Sequence, residues 1–304
     1  MIPPVTAYDS TFVRHWDRWI KPNKRSQLFA IDLVRDGSSW TFSSNGFRNL
    51  LQGTKLETPV PPFGGADDFD VSEEHVVWTS RDPEKSAAWH TQQGIYLAPL
   101  ASSSNGKKAP KKLTTGEHGI TSSPRFSPDG STIVWLQMAR NGYESDKRVL
   151  QFYDVASATT RAVFSDWIFS PKSLEFAPSG KELHLLVEHQ QKDKLFVVAL
   201  KHGDISNEAD AAKGARGLVP VDSEPQELIS SVSVKASAPV IHGGALLTAS
   251  SHYHPPELFW LAPTGGSKLV QLTHFGSQSQ ALAKVDFGPK PEEIAWAGAG
   301  GRTA

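Results

Sequence analysis

A unit of roughly 50 residues recurs along this chain, and such a period constrains the fold more than any other feature of the sequence. Each copy holds an aromatic residue, a tight turn, an apolar run, a polar loop and a second apolar run. Phe126-Ser127-Pro128-Asp129-Gly130-Ser131-Thr132-Ile133-Val134-Trp135 is the clearest, and the stretch from Phe176 to Val187 repeats it with Ala177-Pro178-Ser179-Gly180 at the turn. A weaker copy runs from Phe69 to Trp78, with Glu73-Glu74 in place of Asp-Gly. The three aromatics stand 57 and 50 residues apart. Pro presets φ at the first turn position and Gly accepts positive φ, so the chain reverses tightly before each run. The runs themselves are β-branched and aromatic, as buried strands prefer.

Each copy is followed by an apolar stretch that reads as an outer strand, at Gly94–Leu100, Val149–Val155 and Lys194–Leu200. Leu28–Leu33 and Glu257–Pro263 read as the same element in flanking units, and Leu113-Thr114 and Leu272-Thr273 open the links between units. The expected fold is therefore all-β: a β-propeller over residues 1–304, forming an incomplete arc of about five blades of four-stranded sheets. The arc reads as incomplete because no clear inner strands precede Leu28. Residues 101–112 and 203–217 read as exposed polar connections between strands.

Composition narrows the function. Hydrophobic residues make up 38% and charged residues 21%, an ordinary globular balance, and nine Trp with fifteen Phe supply a large core. A net charge of -1 argues against a nucleic-acid or anionic-membrane binder, so neither partner is expected. The densest basic cluster, Lys107, Lys108, Lys111 and Lys112, reads as a solvated loop. With no cysteine, disulfides, thiolate metal sites and cysteine catalysis are excluded for this chain. Met1-Ile2-Pro3-Pro4 carries no signal-peptide pattern and no Asn begins an Asn-x-Ser/Thr acceptor, which leaves a cytoplasmic or a secreted setting open.

Catalytic motifs are missing. A nucleophile elbow needs Gly-x-Ser-x-Gly, because a strained turn leaves no room for side chains beside the Ser. Gly37-Ser38-Ser39 and Gly265-Gly266-Ser267 lack the last glycine and read as turns. No phosphate-binding loop, dinucleotide fingerprint or His-Glu-x-x-His occurs. His252-Tyr253-His254 with Glu257 is half a metal site at most and reads as structural. Glu73-Glu74 could hold an amine at an inner rim but reads better as an exposed turn. Asp166-Trp167 and His15-Trp16-Asp17 do not recur at the blade period, which weakens a pure Trp-Asp repeat scaffold. No catalytic, metal or cofactor residue is assigned.

Three stretches are more specific: Tyr8–Trp19, Pro61–Phe69 (Pro-Pro-Phe-Gly-Gly-Ala-Asp-Asp-Phe) and Trp135–Arg148, with its Gln137-Met138 and Tyr143-Glu144-Ser145-Asp146. In this order they resemble the fungal dipeptidyl-peptidase V group of the prolyl oligopeptidase family of serine peptidases. The resemblance implies a two-domain enzyme whose N-terminal propeller covers a C-terminal α/β-hydrolase domain bearing Ser, Asp and His, and which releases dipeptides from peptide N-termini. It implies that this chain is the propeller portion, lacking the first blades and stopping near where the hydrolase domain would begin. The peptide substrate would be met through that other domain, and the open blade faces could self-associate. The alternative is a non-catalytic propeller scaffold for protein interaction. On either reading the purified chain should not hydrolyse a dipeptide chromogen above background, since a surface cannot replace a positioned nucleophile. Turnover that persisted through further purification would reveal a nucleophile that the motifs do not show.

Overall fold

The structure, a computed structural model, describes residues 24–100, 109–203, 217–229, 233–239, 244–251, 255–262, 269–286, 292, 294 and 296–298. The stretches Tyr8–Trp19, Lys107-Lys108, His252-Tyr253-His254 and Gly265-Gly266-Ser267 lie outside these residues. Nearly all regular structure is strand. A leading unit holds β1 (Phe29–Ala30), β2 (Leu33–Asp36), β3 (Ser39–Phe42) and β4 (Arg48–Asn49). Blade 1 holds β5 (Phe69–Val71), β6 (His75–Arg81), β7 (Gln93–Pro99) and β8 (Lys111–Lys112). Blade 2 holds β9 (Thr121–Phe126), β10 (Thr132–Met138), β11 (Arg148–Asp154) and β12 (Thr159–Val163). In blade 3, β13 (Pro171–Phe176), β14 (Glu182–His189) and the long β15 (Lys192–His202) are joined by β16 (Leu218–Pro220) and β17 (Gln226–Ile229), both paired to β15. Blade 4 holds β18 (Ser233–Pro239), β19 (Ala245–Ser250), β20 (Glu257–Leu261) and β21 (Leu269–Gln271). Every pairing is antiparallel, and all but β1 with β4 and the second partner of β15 join neighbours in sequence; among the described residues no barrel closes. This is the propeller-like all-β architecture the repeat implies.

The turns form as their chemistry dictates. Gly130 takes φ +69° and its N–H donates to the Ser127 carbonyl at 2.8 Å, while Ser127 Oγ accepts from Thr132 N–H at 2.9 Å. Gly180 repeats this with φ +70° and a 2.8 Å bond to the Ala177 carbonyl. In blade 1 the reversal is closed instead by Ser72 and His75 backbone groups, leaving Glu73 and Glu74 exposed. The turn reading of that pair holds.

Alternation along each strand then feeds two interfaces at once. On β10, Ile133 and Trp135 join Val77, Ile95 and Tyr153 in the core between blades 1 and 2. Val134 and Leu136 point the other way, into a core with Leu174, Leu183, Leu185 and Phe196 of blade 3. Leu195 and Ile229 of blade 3 meet Val234, Leu247 and Leu261 of blade 4. Both faces of each middle sheet are thus dry, which is why the strands read as nearly continuous apolar runs. Trp167 joins the blade 2–3 core, edge-on to Phe196 with ring centroids 5.3 Å apart, so the Asp166-Trp167 pair serves packing.

Three expectations change. Gly94–Leu100, Val149–Val155 and Lys194–Leu200 fall in the third strands β7, β11 and β15, not in the outermost ones. The true edges are short and polar: β12 is half-buried to exposed, and β8 is Lys111-Lys112 itself, part of the cluster read as a solvated loop. Charge suits an edge strand because it discourages further strand addition, and apolar content could not reveal such strands. Lastly, Leu28–Leu33 does not form one outer strand. It splits into β1, paired with β4, and β2, paired with β3 in a hairpin. The break falls at Asp32, whose carbonyl accepts Ser43 N–H at 2.8 Å and whose carboxylate pairs with Arg48 at 2.6 Å.

Polar groups also bind blade to blade. Asp70 of blade 1 accepts from Phe126 N–H of blade 2 at 2.8 Å, and Thr79 Oγ1 donates to the Thr121 carbonyl at 3.0 Å. Asp193 on β15 receives Lys172 Nζ of β13 at 2.6 Å and Lys235 Nζ of blade 4 at 3.3 Å. Burial alone would raise the Asp193 carboxyl, but the two ammonium groups outweigh it and hold the group below the usual carboxylate range. A carboxyl that ionises more readily folded than unfolded stabilises the fold at neutral pH, and that contribution drains away as pH falls below about 4. Asp193→Asn should therefore lower the urea midpoint at pH 7, and the gap to the native chain should close as the medium is acidified through that window. A gap independent of pH would remove the ionic account.

Candidate functional site

Strand direction gathers the distinctive loops at one rim. The strands β6, β10 and β14 all end there, at Arg81, Met138 and His189, so their hairpin loops 82–92, 139–147 and 190–191 open on the same side. The inner strands β5, β9, β13 and β18 begin at that rim. The stretch Pro61–Asp68 leads directly into β5, and Ala139–Lys147 joins β10 to β11. Two of the three distinctive stretches, some 70 residues apart in sequence, therefore open on the same rim.

The first is a rigid turn. Asp68, 8% exposed, accepts from Val60 N–H at 2.7 Å, and Gly64 N–H donates to the Val60 carbonyl at 2.8 Å. A Cβ on Gly64 would lie 2.4 Å from Val60 N, so only glycine fits. Burial pushes the Asp68 carboxyl up, against the pull of the Val60 N–H. Arg81 donates to the Pro61 carbonyl at 3.0 Å and fixes the turn to β6. Arg125 of blade 2 donates to the Asp67 carbonyl at 3.2 Å and to Glu175 of blade 3 at 3.0 Å. One guanidinium therefore ties three consecutive units together around the inner rim. Phe63 projects from the turn, largely exposed.

The second is a clasp between two loops. Asn141 Oδ1 accepts from Thr91 N–H at 2.9 Å and Gln92 N–H at 3.2 Å, and its amide donates to His90 Nδ1 at 2.7 Å. Gly142 N–H returns a bond to Thr91 Oγ1 at 2.8 Å. Asp146 holds the base of its own loop by accepting from Ala139 and Arg140 N–H groups. The Arg140 guanidinium lies over the Tyr143 ring at 4.2 Å. Lys147 donates to the Ser165 and Trp167 carbonyls and so holds the link into blade 3. Phe63, Trp89, Tyr143 and Ile168 each stand exposed on this rim. Large apolar groups exposed over a hydrogen-bonded base are suited to contact with a second surface or a ligand.

Away from the rim, Ser237 Oγ lies 3.2 Å from His184 Nδ1, and His184 Nε2 lies 3.6 Å from Glu182; this imidazole is buried, and no Gly-x-Ser-x-Gly turn presents the serine. Ser38 and Ser39 lie at the exposed β2–β3 turn, and among the described residues no cluster of three His, Cys, Asp or Glu residues could hold a metal. Glu257 is buried and already committed, accepting from Gly276 N–H at 2.8 Å and from the Thr273 hydroxyl. It caps a loop and is not poised for a metal. Sequence reading did not find Asn141, His90, Arg125 or Glu175, because each acts on a residue about fifty positions away, and no local pattern marks such a pair.

The rim belongs to a propeller-like chain. No family model matches it. Dipeptidyl-peptidase 5 of Schizosaccharomyces pombe is 33% identical over 258 residues, which cover 83% of this chain and 34% of that protein. A probable dipeptidyl-peptidase 5 of Arthroderma benhamiae is 36% identical over 200 residues, covering 63% of this chain and 27% of that protein. The chain spans about a quarter to a third of the length of these relatives. A puromycin-hydrolyzing peptidase of Mycobacterium tuberculosis superposes with a TM-score of 0.51 at 12% identity, covering 91% of this chain and 41% of that one, a likeness of fold alone. The chain is thus similar in sequence to fungal dipeptidyl-peptidase 5 proteins, as its distinctive stretches imply.

The clasp makes a direct prediction. Asn141→Ala should lower the overall stability by about 1 kcal/mol and speed amide exchange at Thr91 and Gln92 by roughly tenfold, the loss of partly buried hydrogen bonds of that worth. Hydrogen exchange read by mass spectrometry checks it, with the β10–β11 pairing as the internal control.

Proposed function

We propose that this chain is the propeller portion of a dipeptidyl-peptidase 5-like serine peptidase. In this role it shields and gates a catalytic domain that it does not itself contain. The sequence similarity carries the reading, and the placement of Pro61–Asp68 and Ala139–Lys147 on one rim supports it, since a gating surface must face the chemistry it controls. Rigid blades that hold an aromatic rim in place suit a lid whose function is steric: short or unfolded peptides pass, and folded chains do not. In the assembled enzyme a serine would attack the scissile carbonyl, a histidine would take its proton and backbone N–H groups would hold the oxyanion, all of them supplied by the other domain.

A chimera tests this. This chain would replace the matching segment of the Schizosaccharomyces pombe relative, and release of N-terminal dipeptides from chromogenic substrates would be followed. Activity should be retained within about tenfold of the parent, the scale of a modest misfit between domains, and it should still discriminate against long substrates. A folded, soluble chimera without activity beside an active parent would sink the proposal. The coding sequence beyond residue 304 gives a second check, because the reading requires a Gly-x-Ser-x-Gly elbow there.

A further inference from the structure

Arg148 opens β11 at the same rim, and its charge is unanswered. Its Nε is shut off from solvent and has no hydrogen-bond partner. Arg48, Arg125 and Arg140 each reach a carboxylate, and Arg81 and Arg161 each reach a backbone carbonyl. Among the described residues Arg148 reaches neither through its side chain. Asp146, two residues before it, holds the N–H groups of its own loop, and neither it nor Asp166 in the link above reaches the Arg148 side chain. Alternation along β11 sets Arg148 on the face that carries Leu150 and Phe152 into the blade 2–3 core, opposite the buried Met138. Its backbone N–H donates to Ser170 Oγ at 3.1 Å, which places it beneath the link between those blades. Burial pulls its guanidinium below the ordinary arginine value, and no anion opposes that pull. The group nevertheless stays charged at any physiological pH.

A half-buried cation without an acid is costly, and the cost is offset when an anion arrives to complete it. We propose that Arg148 is a carboxylate-binding residue at the rim, taking the C-terminal carboxylate of a short peptide in the forked geometry that guanidinium and carboxylate share. The identity of the ligand as a peptide rests on the peptidase reading; the need for an anion does not. Ile168, exposed in the link that Ser170 ties to Arg148, would flank the peptide's apolar side chains.

The experiment uses the full chain with ¹⁵N-labelled arginine and follows the Arg148 Nε–H resonance, which is assigned by its loss in Arg148→Met. Trialanine with a free carboxylate should shift this resonance saturably, and its C-terminal amide should bind roughly tenfold or more weakly, the scale of a charge-assisted pair. With binding to the variants read by isothermal titration calorimetry, Arg148→Lys should keep part of the acid preference and Arg148→Met none of it, while both retain native circular dichroism and thermal midpoint. Three results would overturn the proposal: equal binding of acid and amide, undiminished acid preference in Arg148→Met, or no saturable shift. If acetate alone saturates the resonance and the tripeptide does not compete, the peptide assignment fails although an anion site exists. Such a failure beside an active chimera would leave the peptidase reading standing and remove only the role of Arg148.

Discussion

Everything in this structure depends on sheets that are apolar on both faces. A sheet with one apolar face can rest on a core and turn its other side to water. A sheet such as β9–β12, with Trp135 directed to one neighbour and Leu136 to the other, has no wet side and must be sandwiched. Radial stacking follows, and each blade becomes stable only through the next. The interfaces consequently resemble slices through a single core, and the loops at their ends are held in register by neighbours on both sides. Where no neighbour is described, the cost shows. Leu33, Trp40, Phe42 and Phe47 of the leading unit are more than half exposed.

On that frame the rim is assembled from cross-blade polar contacts. Arg125 spans three units, Asn141 clasps the loop of the preceding blade, and Lys147 reaches forward to the following link. No single blade could form these contacts. A rim of this kind is stiff wherever its blades are stiff, so a lesion in the core between two blades should be felt at the loops that cross the same interface.

The repeat, the turns and the sandwiching were legible in the sequence because all three are local or periodic. Ser127-Pro128-Asp129-Gly130 and Ala177-Pro178-Ser179-Gly180 build the turns their residues call for, and the third strands are apolar enough to be seen. The fourth strands were not legible, because an edge such as Lys111-Lys112 carries charge for the reason that makes it an edge. The leading unit was misread since Leu28–Leu33 has the right composition, and only the tertiary partners of Asp32 break it in two. At the rim, the distinctive stretches were visible as sequence, but their placement on one side and their partners were not. These are set by strand direction and by pairs such as Asn141 with His90, which no local spacing encodes.

The bond from Phe126 N–H to the Asp70 carboxylate has a further meaning. The strand β9 is the inner edge of its sheet, and an inner edge carries outward N–H groups able to accept another extended chain. Asp70 occupies one of these donors from the preceding blade. An extended chain laid along that edge finds this donor already taken, so Asp70 interrupts the edge that β9 would otherwise offer for strand addition.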